Sequence, residues 1–124
     1  MALALRPDFA MIAGVEFLAP SVPLGGAGSY SSAGAICPHL CTQLYTACVA
    51  GESARARELQ FKLARLWDLF RDQYPSSLKG GMVVMGRPVG PTRPPLPTAT
   101  QERQAYIATQ LEELGIVQSE PHGW

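Results

Sequence analysis

Residues 24–41 read LGGAGSYSSAGAICPHLC. Glycine, serine, cysteine and histidine crowd together here, and the fold follows from what the crowding is for. A phosphate loop needs GxxxxGK followed by Ser or Thr, so that the lysine reaches the phosphates and the hydroxyl reaches magnesium. No lysine follows these glycines, and the GxGxxG spacing fails because Ser31 stands where the third glycine would be. A nucleophile elbow needs Gly-x-Ser-x-Gly. Around Ser32 the run is Tyr30, Ser31, Ser32, Ala33, Gly34, so the first glycine is missing. His39 and His122 are the only histidines available as a base. A metal site would draw on Cys37, His39, Cys41 and Cys48. If Pro38 opens a helix, each residue turns by about 100°. Cys41 and Cys48 then share a face with Leu44, and His39 points away from Cys37 and Cys41. The cysteines serve as small core hydrophobes, and no metal site or cofactor is assigned.

What is left is architecture. Gly25 and Gly26 make a turn. Residues 28–33, GSYSSA, form a strand of small side chains, suited to a crowded barrel wall or the side of a pocket. Proline is favoured at the first helical position, so Pro38 opens a helix over residues 38–50. Leu40, Leu44 and Cys48 mark its apolar face, and Gly51 caps it in a left-handed conformation. Upstream, residues 9–14, FAMIAG, are an apolar run without alternation, the pattern of a strand buried on both faces. Residues 16–24 form a short helix made irregular by Pro20 and Pro23. Strand, short helix, strand is a βαβ unit with parallel strands.

Downstream, a helix starts at Glu52 or Ser53. Its stripe is Leu59, Leu63, Leu66 and Phe70, and Pro75 ends it. Residues 77–85 form a further helix weakened by Gly80 and Gly81 and closed by Gly86. Five prolines make residues 87–97 an extended connector. Thr100 caps a last helix with Ile107, Leu111 and Leu114 on its apolar face, and Gly115 ends it. The tail, residues 118–124, is expected to be loose. Two parallel strands leave open edges on both sides, and parallel sheets are normally covered on both faces. The strands ask for neighbours that this sequence does not contain.

The 124 residues suffice for one domain, and 47% hydrophobic content suffices for a core. Ten basic and ten acidic side chains cancel, which argues against a nucleic-acid partner. Arg55, Arg57, Lys62 and Arg65 alternate with Glu52, Glu58 and Asp68, as on a solvated helix face. Charged residues are only 16% of the chain, where roughly a quarter is typical; part of the surface is expected to be covered by a partner. The opening MALALRPDFAMIAG lacks the pattern of a signal peptide, and residues 9–27 are too broken to span a membrane. With three unpatterned cysteines, this points to a reducing, cytoplasmic setting.

Five motifs now stand in order: LRPDFAMIAG, LGGAGSYSSAGAICP, AGESARARELQ, YPSSLKGGMVVMGRPVGPTRPPLP and LEELGIV. Together they are similar to the C-terminal part of the dihydrodipicolinate synthase / N-acetylneuraminate lyase family, over residues 5–117. GRPVGPTRPPL is the most specific of them. The resemblance implies an α/β fold, mostly helical: the last two strands of a (β/α)₈ barrel plus a helical C-terminal extension. Residues 1–51 would be the partial barrel, 52–117 the extension and 118–124 the tail. A full barrel takes roughly 250 residues, so the first six strands would be missing.

The family's chemistry is implied along with the fold. A lysine on the sixth strand forms a Schiff base with a pyruvate-type 2-oxo acid, and the iminium drains electrons from the carbon–carbon bond being made or broken. A tyrosine on the fifth strand relays protons. Neither position exists here. Lys62 and Lys79 do not match the Schiff-base lysine, and Tyr30, Tyr45, Tyr74 and Tyr106 do not match the catalytic tyrosine, so no catalytic residue is assigned. What carries over is the rim of the substrate site: Gly14 at the end of the seventh strand, Tyr30 at an aliphatic position of the eighth, and Ser31 after it. Gly14 and Ser31 can equally be tight packing. Two departures stand out: the family's acidic pair is Val15-Glu16 here, and an asparagine near Ala35 is lost. The run of residues 29–33 is reminiscent of the 5-dehydro-4-deoxyglucarate dehydratase branch. The resemblance therefore implies a lyase or aldolase portion, inactive alone. A small 2-oxo acid would bind only if the barrel is completed, with a homo-oligomer or a complementing chain as partner. The competing expectation is a non-catalytic helical oligomerisation or interaction module, or a split-enzyme subunit.

Overall fold

Strand β1 (Ile12–Gly14) lies parallel to β2 (Gly28–Tyr30), with Ile12 opposite Gly28, Ala13 opposite Ser29 and Gly14 opposite Tyr30. The computed structural model describes residue 6, residues 8–14 and residues 16–124. The opening run 1–5, residue 7 and Val15 of the acidic-pair position lie outside the described residues. Between the strands run helix α1 (Leu18–Ser21) and a 3₁₀ turn, Val22–Leu24. The double glycine is needed there for two different reasons. Gly25 has φ +89°, open mainly to glycine. At Gly26 a Cβ would sit 2.9 Å from the Ser21 carbonyl oxygen.

Both strands are shorter than the expected 9–14 and 28–33. The second stops at Tyr30, and Ala33–Ala35 wind into a 3₁₀ turn instead. The reason is a tertiary contact: the Ala33 N–H is taken by the Glu16 carboxylate at 2.9 Å, not by a strand. The first strand is also not buried, since Ile12 is 59% exposed. Its apolar run is that of a covered strand, but among the described residues the sheet has only two strands.

Helices then accumulate: α2 (Pro38–Val49), α3 (Ser53–Arg71), α4 (Ser76–Val84), α5 (Gln101–Glu113) and α6 (Ile116–Ser119). Pro38 takes the first position of α2, and Gly51 (φ +74°) turns the chain into α3. The stripe Leu59, Leu63, Leu66 and Phe70 is buried. It belongs to one core cluster with Ile36, Leu40, Leu44, Met85, Ile107, Leu111 and Ile116. α3 stops at Arg71, four residues before Pro75; Asp72 is already extended and Gln73 has φ +57°. α4 forms despite its two glycines because those glycines let it approach. A Cβ on Gly81 would lie 2.9 Å from Phe70 Cε1 and 3.1 Å from Ile36 Cδ1. Thr100 caps α5 by accepting from the Arg103 N–H at 3.1 Å, and Gly115 (φ +68°) follows it. Residues 87–100 hold no helix or strand.

The tail is not loose, which corrects the sequence expectation. Glu120 is buried, and its two carboxylate oxygens accept from the N–H groups of His39 and Leu40, each at 2.8 Å. These are orphan donors in the first turn of α2; Pro38 before them has no N–H to satisfy. Arg87, also buried, donates to the carbonyls of Gly123 (2.7 Å), Ala35 (2.6 Å) and Pro121. One carboxylate and one guanidinium thus lock residues 120–123 against α2 and the turn after β2.

Candidate functional site

The residues singled out by resemblance lie at the C-terminal ends of the two strands, and the structure sorts them by face. Gly14 and Tyr30 are a cross-strand pair, and Ile12 and Gly28 are the pair before it. A Cβ on Gly28 would touch Ile12 Cδ1 at 3.9 Å, which puts Ile12 on the same face as Gly28. Side chains alternate along a strand, so Ile12, Gly14, Gly28 and Tyr30 share one face. It is open: Tyr30 is 79% exposed, and nothing lies within 4 Å of where a Gly14 side chain would begin.

Ser31 turns the other way. Its hydroxyl donates to Glu16 Oε1 at 3.1 Å, accepts from the Gly34 N–H at 3.2 Å and lies 3.6 Å from Cys41 Sγ on α2. The structure therefore brings Gly14 and Tyr30 together and directs the Ser31 side chain into the helix-facing layer.

Glu16 is the residue whose importance the sequence did not show. It is 4% exposed, and its Oε1 also accepts from Ala33 N–H. Its Oε2 is buried without a hydrogen-bond partner among the described residues. It bridges the end of β1 to the turn after β2 and so fixes the spacing of the two strand ends. Gln60 on α3 holds the same loop from outside, donating from Nε2 to the Glu16 carbonyl and accepting from the Ala19 N–H at 3.0 Å. The one available signal was a lone carboxylate in an otherwise uncharged run, residues 9–30; such a residue is buried with partners or sits at a site.

Behind this layer lie two thiols. Contact with Cys41, together with burial, pushes the Cys37 thiol up, and Cys37 donates to the Ala33 carbonyl at 3.2 Å. Contact with Cys37, and secondarily with Ser31, holds Cys41 below its ordinary value against the effect of burial. Burial raises Cys48. Among the described residues, no three His, Cys, Asp or Glu side chains are placed to hold a metal ion.

Both lysines lie on helices of the C-terminal part. Lys62 lies on α3, and the Lys79 ammonium donates to the carbonyls of Val89, Gly90 and Pro91 at 3.1–3.4 Å. It props the proline-rich connector beside a cleft of about 310 Å³.

With this geometry in place, comparison with known proteins is specific. Residues 2–114 match the Dihydrodipicolinate synthetase family. The chain is 36% identical over 112 residues to the 4-hydroxy-tetrahydrodipicolinate synthase of Archaeoglobus fulgidus, covering 89% of this chain and 39% of that protein. It is 32% identical over 112 residues to the corresponding synthase of Methanopyrus kandleri, with 89% and 37% covered. Its structure superposes on YagE of Escherichia coli K12, a dihydrodipicolinic acid synthase family protein solved with pyruvate. The TM-score is 0.81 at 25% identity, with 92% of this chain and 40% of that one covered. The chain belongs to the Dihydrodipicolinate synthetase family. It spans about two fifths of the length of these relatives.

Proposed function

We propose that the chain forms the closing part of a (β/α)₈ lyase acting on small 2-oxo acids through a lysine Schiff base. It would supply the last two strands, the last barrel helix and the helical extension, and it would be inactive by itself. The observation that carries this reading is the open strand face. Gly14 and Tyr30 face each other across a parallel pair, at the C-terminal strand ends where barrel enzymes bind substrate. In this reading Gly14 leaves room for the pyruvyl end of the substrate, and Tyr30 forms part of the wall. Ser31 supports the wall through Glu16 without turning its own side chain to the substrate.

No residue of this chain supplies the amine. The Schiff-base lysine and the proton-relaying tyrosine would come from the strands that the chain does not hold. The protein would work in the cytoplasm; no described helix is long and apolar enough to cross a membrane.

Borohydride trapping with pyruvate tests the assignment. The isolated chain is expected to gain no mass, whereas a barrel completed with the missing strands gains a pyruvyl adduct on the completing segment. A stable adduct on Lys62 or Lys79 of the isolated chain overturns it. The reading of the chain as a non-catalytic helical module draws on a different observation: the core among α2, α3, α4, α5 and α6 is closed without help from the strands. Loss of trapping in every completed barrel would favour that reading.

A further inference from the structure

Two thiols meet at the start of α2, and no step of the proposed chemistry uses them. Cys37 is the residue before the helix, and Cys41 closes its first turn, its N–H donating to the Cys37 carbonyl at 3.2 Å. Four residues of helix put two Cα atoms about 6 Å apart, inside the range of about 4.4–6.8 Å that a disulfide spans. Cys48 is the internal contrast. It lies seven residues beyond Cys41, about 10 Å along the helix, too far to bridge either thiol.

The two thiols are not equivalent. Cys37 is fully buried, and Cys41 is partly exposed. Their mutual contact holds Cys41 down toward the thiolate and pushes Cys37 up. Ser31 Oγ, 3.6 Å from Cys41 Sγ, favours the same thiolate, while the charges of Glu16 and Glu120 oppose it. Cys37 keeps its proton on the Ala33 carbonyl at 3.2 Å. An accessible nucleophilic thiol thus stands against a protonated one, the pairing that stepwise oxidation uses. Cys37 is also free to close a bridge. Side chains four apart on a helix hold their Cβ atoms about 5–6 Å apart, and a disulfide needs about 4 Å. The difference falls on Cys37, whose φ of −130° and ψ of +66° lie outside the helical region and whose side chain caps nothing.

We propose that Cys41 is an oxidation site for small hydroperoxides and that Cys37 resolves it into an intrachain Cys37–Cys41 bridge. In the first step the Cys41 sulfur attacks one peroxide oxygen. The O–O bond breaks, a sulfenic acid forms, and the other oxygen leaves with the thiol proton as water or an alcohol. Sulfur loses two electrons and the peroxide gains them. In the second step the Cys37 sulfur attacks the sulfenic sulfur. The S–S bond forms, the S–O bond breaks, and hydroxide leaves as water with the Cys37 proton. Two thiols and one hydroperoxide give one disulfide, one alcohol or water, and one further water. The bridge takes Cys37 from Ala33 and draws Cys41 from Ser31, the two residues that Glu16 ties to the end of β1. Oxidation at α2 is therefore felt at the strand end.

The test uses the full 124-residue chain and needs no completed barrel, so its outcome is separate from the lyase reading. The chain is treated with hydrogen peroxide, quenched with iodoacetamide in denaturant and mapped by tandem mass spectrometry without reduction. The expected product is about 2 Da lighter within residues 37–41, with Cys48 carrying the label, and dithiothreitol restores three labelled thiols. Cys37→Ala should stop at a Cys41 sulfenic acid that dimedone traps. Cys41→Ala should slow oxidation of the remaining thiols by about tenfold or more, and Cys48→Ala should leave the bridge unchanged. Circular dichroism checks that each variant is folded, and Cys37→Ser and Cys41→Ser repeat the test with a hydrogen-bonding group kept. On oxidation the NMR amide shifts of residues 31–41 should move while those of α5 stay.

The proposal is overturned if Cys48 oxidises as fast as Cys41, or if the disulfide joins two chains instead of closing within one. It is also overturned if Cys41 stops at the sulfenic acid with Cys37 intact. Unchanged shifts at residues 31–33 in the bridged chain overturn the coupling to the strand end.

Discussion

Glu16 shows how one side chain sets the geometry of a site it does not line. Its Oε1 receives the Ser31 hydroxyl and the Ala33 N–H, so β1 and the turn after β2 cannot separate without leaving a buried donor unsatisfied. Glu16→Ala should lower the unfolding free energy by about 1–3 kcal/mol, the cost of such a buried orphan. Glu16→Gln, which keeps an acceptor in place, should cost less. Urea titration of the three proteins checks the order, and equal losses would assign the effect to packing alone. The thiols make a second residue-scale prediction. The thiolate is the reactive form, and Cys41 is shifted down while Cys37 is shifted up and buried. Iodoacetamide at about pH 8 should label Cys41 well ahead of Cys37, as read by peptide mass spectrometry. Neither residue role was legible beforehand. The sequence marked Glu16 only as a departure from the family's acidic pair and the cysteines only as core fillers. The partners of Glu16 are 15 and 17 residues away, beyond the reach of helical or strand periodicity, and the two thiols, four residues apart, differ in exposure only through the packing around them.

Among the elements, the long helices were legible because their signals are local. The i, i+4, i+7, i+11 stripe of α3, Pro38 at the start of α2 and the Thr100 cap each reflect a neighbour within a few turns. The strand lengths and the α4 glycines were not, because tertiary contacts set them. Those glycines yield opposite predictions for the same substitution. Alanine gains about 1 kcal/mol of helix propensity over glycine. At Gly80 the new methyl meets the flexible end of Ile107 at 3.3 Å, so Gly80→Ala should be near neutral or stabilising. At Gly81 it meets the fully buried ring of Phe70 at 2.9 Å, so Gly81→Ala should destabilise by about 1–3 kcal/mol through overpacking. Thermal unfolding of the two variants side by side is the check; similar melting temperatures would refute the packing explanation. The tail belongs to this scale as well. Glu120 caps α2 from 81 residues away, so nothing near Pro38 announces it. Glu120→Ala should cost about 2 kcal/mol, measured in the same melts, even though residue 120 lies beyond the last helix.

At the scale of the molecule, the chain joins two parts that differ in how complete they are. The helical part closes its own core, with Leu44, Leu63, Leu66, Phe70, Ile107, Leu111 and Ile116 fully buried. Among the described residues the sheet has two strands, with an uncharged open face and no lysine or proline in either strand. The sequence carried this contrast as a mismatch between an apolar strand pattern and too few strands to satisfy it. The structure adds that the helices cover only the Ser31 side, so the Gly14–Tyr30 side stays open. Local stability should follow the division, because opening free energy tracks the apolar contacts an element buries. In the isolated chain, amides of β1 and β2 should exchange at rates close to those of an unstructured chain, while the central turns of α3 and α5 exchange only through global unfolding. The boundary should fall at the Glu16–Ala33 bond. Ala33 N–H should be slower than Tyr30 N–H by at least about tenfold, since about 1.4 kcal/mol of protection suffices for that factor. Hydrogen–deuterium exchange read by NMR resolves the two positions. Uniform protection across residues 12–34 would mean that the sheet is stabilised by this chain alone, and the open face would then need no complement.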